Sequence, residues 1–469
     1  MKKIQILLIA IVFLGLSSCE DDFLTVNPSA ALPPEVALQS VDDMQTILTG
    51  VYSQMQSANW YGRYFVLVPD VMTDDVKQNA SANRAKDWAE YSGTRFDGIA
   101  SGMWSTLYTG VLRANTIINA TIEVPAAAQD RANQLLGEAY AVRALAHFDL
   151  VRLYAQHYGF TGDNSHPGIP IVLEFDQNNE PTRSTVAQVY AQIESDFTQA
   201  ISLMNESRGK GFFSVEAAQA IMARIKLYQG DYSAAESMAS TVINSPNTGL
   251  TSADNYISTW QADGFSPDAI FDVVMLETDN QGANALGRMY VVDGYGDYLP
   301  SQDLVSIIEG RGDDVRMGFF LEDNETLGGV FGNLRMDKFP SLVGADNTPV
   351  VRLAEMYLIR AEARARTGNE AGAIEDLMTI RSRAWASAPM VTASGQALLD
   401  EIEEEKRIEL SYEGHRLWEL MRMQRDVVRN DCTAPAEACT ITYPSDRFVI
   451  AIPDDEINAN PNMTQNTGY

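Results

Sequence analysis

Two stretches of this chain repeat one local design, and that design limits what the chain can fold into. Within 217–243 the sequence reads Leu227-Tyr228-Gln229-Gly230-Asp231-Tyr232-Ser233-Ala234-Ala235. Within 355–383 it reads Ala365-Arg366-Thr367-Gly368-Asn369-Glu370-Ala371-Gly372-Ala373. Each has an apolar helical pattern, a Gly-Asp or Gly-Asn stop, then an alanine-rich second helix. Glycine ending the first helix permits the left-handed backbone, and Asp or Asn caps the helix that follows. Alanines then let the paired helices pack closely.

This is the helix-turn-helix logic of tetratricopeptide repeats, so these glycines are read as structural. Helical spacing extends well beyond the two repeats. Val41, Met44, Ile47, Leu48, Val51 and Met55 recur at steps of three and four, as one helix face requires. Trp104 to Ala120 and Gln134 to His157 show the same pattern, and Pro167-Gly168-Ile169-Pro170 closes the second of them. Val186–Met204 reads as one more repeat helix, and Trp104 and Trp385 are assigned to the core. The predicted fold class is mainly α: a tetratricopeptide-like helical repeat scaffold with long irregular loop insertions and minor β.

Residues 57–98 and 246–350 have a different texture, dense in Gly, Asp, Asn and aromatics. They predict loops, brief strands or hairpins and a few short helices, inserted in the helical body. Irregular segments on a rigid scaffold are where binding residues tend to sit. At roughly 150 residues per domain the length allows about three domains, although helical arrays run longer as one body.

Charge and cysteine narrow the function classes. A formal charge of −29 repels phosphate backbones, which argues against a nucleic-acid partner. Beyond Cys19 only Cys432 and Cys439 remain, and in an oxidising compartment they can close a small surface loop by a disulfide. Four zinc ligands cannot be assembled around them, so no metal or other cofactor is expected. No HExxH, GxSxG, Walker A loop or GxGxxG opening a helix is present. The adjacent Asp74 and Asp75 point apart on any regular backbone and make a poor glycosidase pair.

The C-terminal part carries a specific pattern: Glu403-Glu404-Glu405-Lys406-Arg407-Ile408-Glu409-Leu410-Ser411-Tyr412-Glu413-Gly414-His415-Arg416-Leu417-Trp418-Glu419-Leu420-Met421-Arg422. It resembles the signature of the SusD/RagB family, with Glu419 where aspartate is commoner. Ile450 to Ile457 with Asn460-Pro461-Asn462 resembles that family's ending. Tyr140 to Tyr154 and Arg352 to Ala363 resemble two of its helices. The resemblance implies a binder that captures nutrients and catalyses nothing, seated as a lid over a SusC-like TonB-dependent outer-membrane transporter. Its ligands would be oligosaccharides, or peptides in the RagB branch. Arg407, Glu409, Glu413, Arg416 and Trp418 are read as structural residues on one helical stretch.

The N-terminus agrees with that setting. Lys2 and Lys3, an apolar run from Ile4 to Leu16, and Ser17-Ser18 before Cys19 read as a secretory signal too short to span a bilayer. Leu16-Ser17-Ser18-Cys19 resembles a lipobox, which makes Cys19 the lipidated mature N-terminus and a membrane anchor. Glu20-Asp21-Asp22 resembles the acidic export signal of surface lipoproteins in the Bacteroidetes. Exposure at the outer-membrane surface is therefore expected, with periplasmic exposure the alternative. Residues 1–18 are then signal, 19–40 tether and 41–469 one helical body, with repeat helices at about 134–243 and 351–386.

With catalysis set aside, binding chemistry must carry the function. A sugar ring offers an apolar C–H face and hydroxyl edges, which aromatic rings and polar side chains match. Two loop clusters hold both kinds of residue. The first is Asp70, Asp74, Lys77, Asn79, Arg84, Trp88 and Tyr91; the second is Trp260, Tyr290, Tyr295, Asp297 and Tyr298. The competing role for each aromatic is core filling. Three functions stay open: glycan capture, peptide capture by the same kind of lid, and a surface scaffold that binds no small ligand.

Overall fold

A computed structural model describes residues 38–176, 178–262, 264–291, 293–322 and 334–469. Cys19, the signal and most of the expected tether lie outside the described residues.

Helix α1 (Val41–Met55) is capped by the Ser40 hydroxyl and buries Val41, Met44, Leu48, Val51 and Met55, five of the six periodic positions. A short helix α2 (Tyr64–Val71), strand β1 (Val76–Gln78) and the single turn α3 (Lys86–Ala89) follow. Helix α4 (Gly98–Ile118) starts six residues before Trp104, because the Asp97 carboxylate caps the N–H groups of Ile99 and Ala100. Helix α5 (Gln129–Tyr154) ends before His157. Ala155 is extended there, and the Leu153 carbonyl accepts the N–H of Ile450, 2.8 Å away, from the C-terminal segment.

The expected repeats form as paired helices. Helix α6 (Val186–Leu203) packs on α5, and α7 (Val215–Gln229) is followed directly by α8 (Tyr232–Ile243). Gly230 at φ +74° ends α7, and the Asp231 side chain accepts the N–H of Ala234 at 3.1 Å. The second repeat is α11 (Leu353–Arg366) and α12 (Glu370–Ala384), with Gly368 at φ +89° and Asn369 accepting from Gly372 at 3.1 Å. Each such cap is worth about 1 kcal/mol. Fully buried Ala235 and Ala239 let α8 lie close against α11, and Arg364 joins that contact through Glu236 at 2.9 Å.

Between the repeats, 256–352 supplies α9 (Tyr256–Trp260), β2 (Ala269–Val273), β3 (Tyr298–Pro300), α10 (Gln302–Glu309), β4 (Phe320–Glu322), β5 (Leu334–Met336) and β6 (Thr348–Arg352). The strands pair antiparallel in twos: β1 with β3, β2 with β6, β4 with β5. One connected apolar core runs from Leu38 to Met463, and a smaller one joins α11 and α12 to α13 (Gln396–Glu409).

Two readings need correction. The signature stretch is two helices, since α13 stops at Glu409 and α14 (Arg416–Arg422) begins after a reversal. Tyr412 and Gly414 both take positive φ in that reversal, +65° and +75°. A Cβ at Gly414 would lie 3.0 Å from the Val66 backbone, so glycine alone fits there. Trp385 is half-buried rather than in the core; it closes α12 and donates its Nε1–H to Ser387 at 2.9 Å. Among the described residues no helix is long and apolar enough to cross a membrane. Cys432 and Cys439 are joined by a disulfide, with Cα atoms 5.5 Å apart.

Candidate functional site

Strand pairing decides which of the sequence-predicted residues meet. The register Lys77↔Leu299 and Gln78↔Tyr298 lays the 70–91 segment beside 290–300, so the two loop clusters converge. Asn79 donates to the Gly296 carbonyl at 3.2 Å, and its own N–H reaches Asp297 O at 2.7 Å. Arg84 bonds the buried Asp297 carboxylate at 3.0 Å and lies 3.3 Å over the Tyr295 ring.

Most members of both clusters are used inside the fold. Asp70 accepts the Gly414 N–H at 3.1 and 3.2 Å, and burial pushes its carboxyl well up. Asp74 is clamped by Arg416 through two bonds of 2.9 Å. Its burial is outweighed by the charges of Arg416 and Arg407, which hold the carboxyl at about 2. Lys77 is paired with Asp431 at 2.7 Å. Trp88, 1% exposed, donates to Asp97, and Gly93 lies against its indole. Tyr91 donates to the Met72 carbonyl, Tyr298 to that of Arg84, and Tyr290 packs edge-on to Tyr412. These rings fill the core, the competing role, because apolar area gains more from burial than from exposure. They offer no face to a ligand.

What reaches the surface is a smaller patch. Tyr295 is half-buried and Arg84 keeps 30% of its side chain exposed. Arg288 lies 5.2 Å over the same ring, and beside them Arg63 stacks 4.0 Å over half-buried Tyr64. Arg63 falls below its usual pKa, first through burial, with the nearby Arg84 charge adding to it. Sequence reasoning left Tyr64, Arg63 and Arg288 out of both clusters. Isolated arginines in a loop carry no spacing signal; only the fold juxtaposes them.

Trp260 stands apart from this patch. Its half-buried ring meets Phe319 and Phe339 edge-on, with the Lys338 ammonium 4.4 Å above it. It lines a shallow depression with Asp272, whose buried Oδ1 has no hydrogen-bond partner among the described residues. Burial first, then the Asp268 charge, pushes the Asp272 carboxyl up to about 7, against the pull of Arg352 and Lys210. The folded state thus binds this proton more tightly than the unfolded chain, and stability falls as pH rises from about 4 to about 7. Three pKa units correspond to at most roughly 4 kcal/mol. Asp272→Asn is expected to raise the denaturation midpoint at pH 8 and to give no gain at pH 4. Equal effects at both pH values would show that folding does not raise the Asp272 carboxyl.

Sequence comparison places the rest. Residues 22–227 match the family model described as "Starch-binding associating with outer membrane", and residues 340–469 match the SusD family model. The chain belongs to the SusD/RagB family. It is 24% identical to SusD-like protein P38 of Formosa agariphila, covering 100% of this chain and 99% of that one. A SusD superfamily protein of Bacteroides thetaiotaomicron superposes with a TM-score of 0.83 at 27% identity, over 91% of this chain and 99% of that one. A laminarin binding SusD-like protein shares the fold, with a TM-score of 0.73 at 22% identity over 92% and 100%.

In this SusD-like chain the signature carboxylates hold helices together. Glu409 bonds Arg383 at 2.6 Å, Arg316 at 3.1 Å and Arg352 at 3.2 Å. Glu413 takes Lys338 at 2.6 Å and Arg352 at 2.7 Å, while Glu405 takes Arg316, Arg381 and Arg311. All three are buried and engaged by at least two cations; for Glu405 and Glu409 the arginine charges outweigh burial and hold the carboxyls well below the usual carboxylate range. Among the described residues no group of His, Cys, Asp or Glu is arranged to hold a metal ion.

Proposed function

We propose that this chain is a non-catalytic cell-surface lipoprotein that captures oligosaccharides and delivers them to a SusC-like TonB-dependent outer-membrane transporter. The capture site is the Arg84–Tyr295 patch, with Arg63, Tyr64 and Arg288 at its sides. One observation carries this reading. Of the clustered loop aromatics, Tyr295 alone stays half-exposed among the converged residues, and it is flanked by guanidinium donors. Ring edges with fixed donors suit a ligand that has both C–H faces and hydroxyls. Membership of a family described as starch-binding, and a laminarin-binding neighbour of the same fold, support a glycan ligand. Lipidation at Cys19 would hold the body at the outer membrane, the site of association that the family description gives.

Calorimetric titration of residues 20–469 against panels of oligosaccharides and oligopeptides tests the reading. Saturable binding of a glycan is expected, weakened roughly tenfold in Tyr295→Ala, the equivalent of about 1.4 kcal/mol. The thermal midpoint should not move, because the ring is only half-buried. Binding of peptides alone, or glycan binding that Tyr295→Ala leaves intact, would overturn it.

A further inference from the structure

The charge on the capture patch is opposite in sign to the charge on the chain. The sequence carries −29 overall, yet the patch gathers Arg63, Arg84 and Arg288 around two tyrosine rings. Only Arg84 is matched by a carboxylate, that of Asp297. Arg63 reaches Asn284 Oδ1 at 3.4 Å and Arg288 the Leu342 carbonyl at 2.7 Å, both uncharged acceptors. Among the described residues neither of these arginines has an ion-pair partner, and their Nε–H groups are buried without an acceptor. Arg63 is 6% exposed, so its charge is held at the base of the patch rather than drifting in solvent. Asp293, exposed in the same loop, forms no ion pair with them.

A half-desolvated guanidinium without a counter-ion is costly to keep unless something else meets it. Other buried cations in this fold are met either by carboxylates, often twice, as in Arg316, Arg352 and Arg416, or by several carbonyls, as in Arg429, whose guanidinium donates to Thr73, Ala89 and Val71. Arg63 and Arg288, on the same patch, have neither a carboxylate nor such a set of carbonyls, and that shortfall points to a ligand. We propose that the patch selects acidic oligosaccharides, whose carboxylate or sulfate groups supply the missing counter-charge while their rings lie along Tyr295 and Tyr64. Guanidinium suits both groups, since its fork of N–H donors matches two oxygens of one anion. The acidic remainder of the molecule does not forbid this. With a Debye length of about 8 Å at physiological salt, remote carboxylates are screened while contact charges are not.

This inference rests on the capture reading and is separable from it. Trigalacturonate would be titrated against its fully methyl-esterified form, which differs in charge but not in sugar or linkage. Laminaritriose would be titrated against a sulfated laminaritriose. At least tenfold tighter binding of the acidic member of either pair is expected, shrinking as NaCl rises. Preference in the first pair alone assigns a carboxylate site, and in the second alone a sulfate site. The acidic-to-neutral ratio should fall toward one in Arg288→Gln and in Arg63→Gln; Arg288 is half-exposed, so its variant is expected to fold. Neutral members bound as tightly as acidic ones would overturn the inference and leave glycan capture standing. Silence toward all four, with silence across the wider panels, would sink both.

Discussion

Replacing Glu409 with glutamine is expected to destabilise the protein by about 3–5 kcal/mol at pH 7, among the largest effects of any single polar substitution in this fold. Glu409 is fully buried, and its two oxygens meet the guanidinium groups of Arg316, Arg352 and Arg383. Its backbone carbonyl accepts from Arg352 at 3.0 Å as well. The neutral amide fills the same volume but leaves three arginines sharing the remaining carboxylates of Glu405, Glu413 and Asp268. Burial raises the Glu409 carboxyl, but the charges of Arg383, Arg352 and Arg316 outweigh it and hold the group well below the carboxylate range. A depressed folded pKa means stability that is fully present above the unfolded value of about 4.3 and is lost as pH falls below it. The gap between wild type and Glu409→Gln should therefore narrow by roughly 2 kcal/mol between pH 7 and pH 3. Urea unfolding at the two pH values measures it. A constant gap would mean that the arginines, and not the ionised carboxylate, set the cost.

That network explains why the fold was legible in the sequence and most of the site was not. Helix periods, the Gly230-Asp231 and Gly368-Asn369 stops and the Ser40 cap are local: a few neighbouring residues fix them, so reading along the chain finds them. The signature motif was also rightly assigned to structure. Yet reading it as one helix missed that Tyr412 and Gly414 turn the chain so that Asp70 can bond the Gly414 N–H. Such contacts join residues more than three hundred positions apart, and nothing in either segment announces the other. The same holds for Asp74, which looked like a loop polar group and is the partner of Arg416. Polar loop residues chosen by type alone were in most cases the ones the core needed. Arg84 and Tyr295 survive as surface groups because β1 and β3 end beside them, a consequence of register that composition does not encode.

Trp88 makes the distinction measurable. Read from sequence it is a candidate stacking platform; in the fold its ring is 1% exposed, seated against Gly93 and tied by Nε1–H to Asp97 at 3.2 Å. That Asp97 oxygen also caps α4 through Ile99 and Ala100, so the indole packs directly on the start of a long core helix. Trp88→Ala should cost about 3–5 kcal/mol, the range for emptying a buried aromatic site whose surroundings only partly collapse. Gly93 and the capped α4 end restrict that collapse, which favours the upper part of the range. Where the variant remains folded, its affinity for ligand should equal that of wild type, the reverse of the Tyr295→Ala pattern of intact stability and weakened binding. Urea unfolding and calorimetric titration on the same two variants separate the roles. A Trp88→Ala protein that unfolds like wild type but no longer binds would place the indole at the ligand and move the capture site from Tyr295 to the α3 turn.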